Sequence, residues 1–183
     1  MDEKIIRKHK LFFSWQDEEQ EAWLAEMSRQ GLHLKEPGAF GRYLFIQGSP
    51  KEFAYCMDFK KDKVPEDYIQ LIRDAGWEYL GKHSGWSYWR KEIQGGKRPD
   101  LFSDAESKIR KYQRLLAVYG VSSPGVVAMY IIGLAQFNRF PGRHPLWFVI
   151  LFISLFMGYI LFAAVNAVMI LLRINKLKQN KTP

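Results

Sequence analysis

Leu115-Leu-Ala-Val-Tyr-Gly-Val-Ser-Ser-Pro-Gly-Val-Val-Ala-Met-Tyr-Ile-Ile-Gly-Leu-Ala-Gln-Phe137 holds 23 residues without a charge. Leu146-Trp-Phe-Val-Ile-Leu-Phe-Ile-Ser-Leu-Phe-Met-Gly-Tyr-Ile-Leu-Phe-Ala-Ala-Val-Asn-Ala-Val-Met-Ile-Leu-Leu172 holds 27 more. A helix needs roughly 20 apolar residues to cross a hydrocarbon core about 30 Å thick. Two such runs in a chain of 183 residues leave too small a soluble shell to bury them as core helices. The expected architecture is therefore a soluble N-terminal domain followed by a transmembrane hairpin of two helices, 115–137 and 146–172, joined by an external loop, 138–145.

The charges divide in the same way. Residues 1–100 carry 17 Lys+Arg and 17 Asp+Glu, whereas residues 101–183 carry 10 basic residues against only Asp104 and Glu106. The net charge of +8 thus belongs wholly to the membrane half. A basic excess often marks a nucleic-acid binder, but here the cations flank the apolar runs. Lys108, Arg110, Lys111 and Arg114 precede the first, and Arg173, Lys176, Lys178 and Lys181 follow the second. Between the runs stand only Arg139 and Arg143. Positive charge stays on the cytoplasmic side, so both termini are expected in the cytoplasm and the chain in the cell membrane as a multi-pass protein. Trp147 and Phe148 suit the outer interface and Tyr112 the inner one. Met1-Asp-Glu-Lys-Ile-Ile-Arg7 begins with acids and lacks an apolar core, so it is not expected to be a secretory signal.

Ser103-Asp-Ala-Glu106 has the spacing of a capping box. It predicts a helix that starts near Asp104, passes through a basic juxtamembrane stretch (95–114, with the linker at its start) and continues into the membrane. Gln94-Gly-Gly-Lys-Arg-Pro-Asp100 is the expected break, and 173–183 forms a basic cytoplasmic tail. Pro124 frees the Gly120 carbonyl and predicts a kink. Ser122, Ser123 and Asn166 are the candidate polar contacts inside the spans. In an antiparallel pair they lie at matching depth, roughly 10 Å from the cytoplasmic boundary at about 1.5 Å per residue. Asn166 is expected either to bond Ser122, Ser123 or the Gly120 carbonyl, or to face another copy or partner.

The soluble part, 1–94, alternates short strands and helices. Lys10–Trp15 reads as a strand. Acids at Asp17-Glu-Glu19 open a helix that Gly31 stops, with Trp23, Leu24 and Met27 as its apolar stripe. Tyr43–Gln47 and Phe53–Phe59 read as strands. Pro65 opens a second helix that Gly76 ends, and Trp77–Leu80 with Trp86–Lys91 make a hairpin. That order predicts an α+β, ferredoxin-like fold, βαββαβ plus an extra strand. Alternation places Leu44, Ile46, Ala54 and Cys56 on one side of the sheet. Tyr43, Phe45, Phe53, Tyr55, Met57 and Phe59 fall on the other. Helices cover one side of such a sheet, so these six form a candidate binding or dimerisation face, either open or covered by a neighbouring segment.

Little points to catalysis. His9, His33, His83 and His144 lack metal-ligand spacing, and no phosphate loop or nucleophile elbow occurs. Cys56, the sole cysteine, reads as core rather than nucleophile. The acids Asp17–Glu21 read as a solvated helix start, and Trp15, Trp23, Trp77, Trp86 and Trp89 as core. No catalytic residue, metal or cofactor is expected. Lys51-Glu-Phe-Ala-Tyr-Cys-Met-Asp58 departs from an RNA-binding pattern at Glu52 and Asp58, so nucleic acid is not expected as a partner.

Phe13-Ser-Trp-Gln-Asp-Glu-Glu-Gln-Glu-Ala-Trp-Leu24, Met27 and Gly31-Leu-His-Leu34 resemble the opening motif of the bacterial family catalogued as domain of unknown function 2812. Ala75-Gly-Trp-Glu78 and Trp86-Ser-Tyr-Trp-Arg-Lys91 resemble its later motifs, and Leu101–Ser107 and the membrane tail are similar to its members as well. The resemblance implies a mostly Gram-positive family without established catalytic activity, often encoded beside PadR-type regulators. That implies a role in a stress or envelope response, and no site residue carries over. The leading expectation is a non-enzymatic, membrane-anchored regulator or adaptor whose domain binds a protein partner or itself. The alternative is a membrane-anchored small-molecule sensor. With two spans and no charge inside them, a transporter is disfavoured.

Overall fold

The computed structural model describes residues 4–60, 65–93, 96, 98–101, 105–140, 142 and 144–179. The chain forms two units, 1–111 and 112–183.

The first unit is built from one motif used twice. In the first half, strand β1 (Ile5–His9) precedes helix α1 (Asp17–Arg29), then strands β2 (Leu32–Pro37) and β3 (Arg42–Gln47). In the second, strand β4 (Phe53–Phe59) precedes helix α2 (Glu66–Asp74), then strands β5 (Glu78–His83) and β6 (Trp86–Glu92). Each half is an antiparallel three-stranded sheet with its last strand in the middle, β1-β3-β2 and β4-β6-β5. The likeness extends to detail. Both helices end before a glycine in the left-handed region, Gly31 at φ 78° and Gly76 at φ 81°. Only glycine adopts that conformation without strain, and at Gly31 a Cβ would also lie 2.5 Å from the Gly48 carbonyl oxygen. Three residues later come Leu34 and Tyr79, and straight after each the ladder shifts register, so Lys35 and Leu80 bulge out. Opposite Leu34 and Tyr79 stand Phe45 and Trp89, both wholly buried.

This differs from the ferredoxin-like expectation in two respects. The first strand is Ile5–His9 rather than Lys10–Trp15, and Leu32–Pro37 is a strand that the sequence pattern hides. Six strands in two sheets therefore replace a single sheet with an added strand. The elements from Tyr43 onward follow the expected order, but the strand expected at Trp77–Leu80 runs over Glu78–His83 and leaves a two-residue turn at Ser84-Gly85, where φ is 48° and 85°.

The two helices, expected on one side of the sheet, instead cover opposite faces. Helix α2 packs Ile69 on Ala54, Cys56, Trp77 and Trp89. Helix α1 covers the opposite face. Its Trp23 ring meets Tyr43 at 4.9 Å and Phe45 at 5.7 Å, and Ser28 Oγ lies 2.7 Å from Tyr55 Oη. Each large apolar side chain sealed in this way contributes about 1.5–3 kcal/mol.

The second unit holds most of helix α3 (Ala105–Arg139), whose first turns belong to the first unit, and all of helix α4 (Leu146–Gln179). Both are long and apolar enough to cross a membrane, and their apolar windows are almost entirely unburied. Helix α3 runs from Ala105 through Pro124 as one element, the continuous helix that the sequence predicts. Ser103 and Asp104, with which its capping box was to begin, lie outside the described residues. Aromatic stacking of Tyr130 on Phe152 and Phe156 joins the two helices.

Candidate functional site

The strand β4 is the edge of its sheet, and an edge leaves backbone groups that must find partners when buried. Met57 shows how they are met. Its N–H donates to Glu21 Oε1 at 2.9 Å, and its carbonyl accepts from Lys111 Nζ at 3.4 Å. Lys111 in turn sits 2.5 Å from Asp17 Oδ2. Helix α1 thus turns Asp17, Gln20, Glu21, Leu24 and Ser28 inward at helical spacing, a buried stripe that is mainly polar. The expectation of a solvated acidic helix start is corrected here. Glu18 and Glu19 are exposed, but Asp17 and Glu21 are buried. Trp23 and Met27 are only half-buried, so of the expected apolar stripe Leu24 alone is fully sealed.

Glu21 is the acid most altered by this setting. Burial raises its pKa from 4.5 to about 7, with Asp17 adding to the rise. Lys111, the Met57 amide and Arg98 (3.3 Å from Oε2) act in the other direction. A carboxyl that changes charge near neutrality is suited to proton exchange or to sensing pH.

Above this layer a cleft of about 250 Å3 opens between the two halves. One wall is the segment Leu11–Ser14 between β1 and α1, and another is formed by Gly38, Phe40 and Gly41 ahead of β3. The third is the β5–β6 turn with His83, Ser84 and Trp86. Asp17, Gln20, Tyr43, Met57 and Tyr88 make the floor. There the Gln20 amide donates one hydrogen to Tyr43 Oη at 2.8 Å and one to Tyr88 Oη at 3.0 Å. Burial pushes the Tyr88 phenol up to about 12 and the Tyr43 phenol higher still, so both remain protonated donors. The rim is apolar. Leu11, Phe13 and Phe40 are 70%, 53% and 84% exposed. Phe40 is also held in the left-handed region at φ 54°, ψ 39°, a costly conformation for a bulky side chain.

The six sheet residues singled out by alternation part company here. Tyr43 and Met57 line the cleft. Phe45 is buried beneath Trp23, Tyr55 bonds Ser28, and Phe59 packs on Trp86 at 5.3 Å. Phe53 is half-buried, edge-on to His33 with the Arg90 guanidinium 4.9 Å from its ring. They do not form an open aromatic face, because α1 lies over it. Gln20, Tyr88 and Lys111 were not foreseen as site residues. Cys56 is buried, and burial pushes its thiol well up, which opposes thiolate chemistry.

Within the second unit, Ser122 and Ser123 both donate to the Tyr119 carbonyl, one turn back on their own helix, at 3.2 and 2.6 Å. The cross-helix bond comes instead from Tyr119 Oη to Asn166 Oδ1 at 3.4 Å, while Asn166 Nδ2 donates to the Phe162 carbonyl at 2.8 Å. Asn166 is thus buried, and both serines bond within their own helix instead.

The family described as "Protein of unknown function (DUF2812)" matches residues 16–123, more than half of the chain, and the chain belongs to it. No curated protein matches, and no solved structure matches.

Proposed function

We propose that this DUF2812 member is a membrane-anchored sensor that binds a small molecule in the cleft between its two βαββ halves and acts by binding rather than by catalysis. The observation that carries this reading is the cleft itself. Polar tips from Gln20, Tyr43 and Tyr88 converge on its floor, and exposed apolar side chains ring its mouth. A concave apolar site with a few convergent polar groups is the usual form of a ligand pocket. The adaptor reading relied on an aromatic sheet face free to dock a partner, and α1 occupies that face. The two apolar helices anchor the domain in the cell membrane, and the flanking cations favour both termini in the cytoplasm.

The test is a ligand titration of full-length protein in lipid nanodiscs, read by tryptophan fluorescence, because Trp86 lines the cleft. Saturable quenching by an aromatic small molecule that is lost in the cleft-filling variant Ser14→Trp is the expected result. A panel of such molecules that quenches both proteins alike would rule the reading out.

A further inference from the structure

The floor of the cleft is specific about what it lacks. A primary amide has two hydrogens, and Gln20 spends them on the two phenol oxygens. Each phenol accepts one bond and keeps its own proton, and among the described residues neither proton has an acceptor. Both tyrosines are 5% exposed, so two buried O–H donors meet where a ligand would sit. A carbonyl oxygen has two lone pairs and can accept both.

The charges narrow the choice. Asp17 also lines the cleft, but its carboxylate is already matched by Lys111, the two side chains being 0% and 5% exposed. A ligand cation would find that acid occupied and would meet two donors. A ligand carboxylate would be buried beside Asp17, where an unmatched charge is costly. The walls supply the rest. Phe12 and Trp86 present rings, and Phe40 stands at the mouth in a backbone conformation that a bulky residue adopts only under constraint. A volume of about 250 Å3 is small for a ligand pocket.

Resting on the binding reading above, we infer that the cleft takes an uncharged aromatic molecule of one or two rings, with its carbonyl oxygen seated between the Tyr43 and Tyr88 hydroxyls.

Four probes of one shape decide it: 2-acetylnaphthalene, 2-ethylnaphthalene, 2-naphthoate and 2-naphthylmethylammonium. Each is titrated into full-length protein in nanodiscs, and the Ser14→Trp signal is subtracted to remove partition into lipid. The ketone is expected to bind about tenfold more tightly than the hydrocarbon, as two modest net hydrogen bonds allow. The paired variant Y43F/Y88F should abolish that advantage while leaving hydrocarbon binding intact, which also certifies that the variant is folded. Equal or tighter binding of either charged probe, or a ketone advantage that survives in the variant, overturns the ligand class but leaves a binding cleft. Failure of all four to bind overturns the cleft as well.

Discussion

Lys111 Nζ lies 2.5 Å from Asp17 Oδ2, across 94 residues of chain, with both side chains closed to solvent. The pair ties the first turns of α3 to the start of α1. Two charges taken from water are repaid only when both are present, so removing one is worse than removing both. Asp17→Asn should lower the stability of the soluble unit by about 3–5 kcal/mol. Asp17→Leu combined with Lys111→Met should restore most of it. Urea unfolding of the detergent-solubilised full chain, followed by tryptophan fluorescence, measures both. A double variant no more stable than the single would show that the pair matters for more than charge balance.

Glu21 gives stability a pH dependence of unusual direction. Its pKa is about 7 when folded, against an ordinary 4.5. Between those values the folded chain holds a proton that the unfolded chain has released. The stabilisation is therefore complete below about pH 4.5, falls as pH rises towards 7 and is gone above that. The linkage is worth about 3 kcal/mol. Glu21→Gln should remove this slope, so wild type should lose ground to the variant between pH 5 and 8. Parallel stability curves for the two proteins would place the titration elsewhere.

Phe40 sets stability against binding. Asparagine tolerates the left-handed region far better than phenylalanine, so Phe40→Asn should raise stability by about 1 kcal/mol. The same change removes an aromatic ring from the mouth of the cleft and should weaken 2-acetylnaphthalene several-fold. Melting temperature and Kd, measured on one preparation, should move in opposite senses. A variant that is neither more stable nor a weaker binder contradicts both halves of this expectation.

Tyr119 Oη and Asn166 Oδ1 link the two long helices through a side-chain bond. Tyr119→Phe and Asn166→Leu should each cost roughly 0.6–1.7 kcal/mol of hairpin stability. The double variant should cost less than the sum of the two singles, because both remove the same bond. Unfolding in mixed detergent micelles provides the cycle. Unchanged stability and unchanged self-association in Asn166→Leu would remove any structural role for this amide.

The two long helices were legible because a run of uncharged apolar residues is a property of consecutive positions, and Gly31 and Gly76 mark helix ends for the same local reason. Strand β2 was not legible. The bulge at Lys35 interrupts its alternation after Leu34 and leaves Lys35 and Glu36 exposed together. Strand β1 carries Arg7, Lys8 and His9, while the apolar Leu11-Phe12-Phe13 that looked like the strand lines the cleft instead. The buried stripe Asp17-Gln20-Glu21 is indistinguishable in sequence from a solvated helix start. What distinguishes it is Lys111, a partner that only tertiary structure brings near. The repeat was faintly present in Gly31-Leu-His-Leu34 and Gly76-Trp-Glu-Tyr79, where glycine precedes the bulge by the same count.

The two halves of the domain share a plan, but their helices are attached differently. Helix α2 is sealed to its sheet by Ile69 against Trp89, and parting them would bare an oily surface to water. Helix α1 meets the β4 edge along a seam of carboxylates, an amide, a serine and a lysine. An oily contact tolerates a small slide, whereas each bond in this seam sets one donor against one acceptor, so α1 is held in register on β4 in a way that α2 is not.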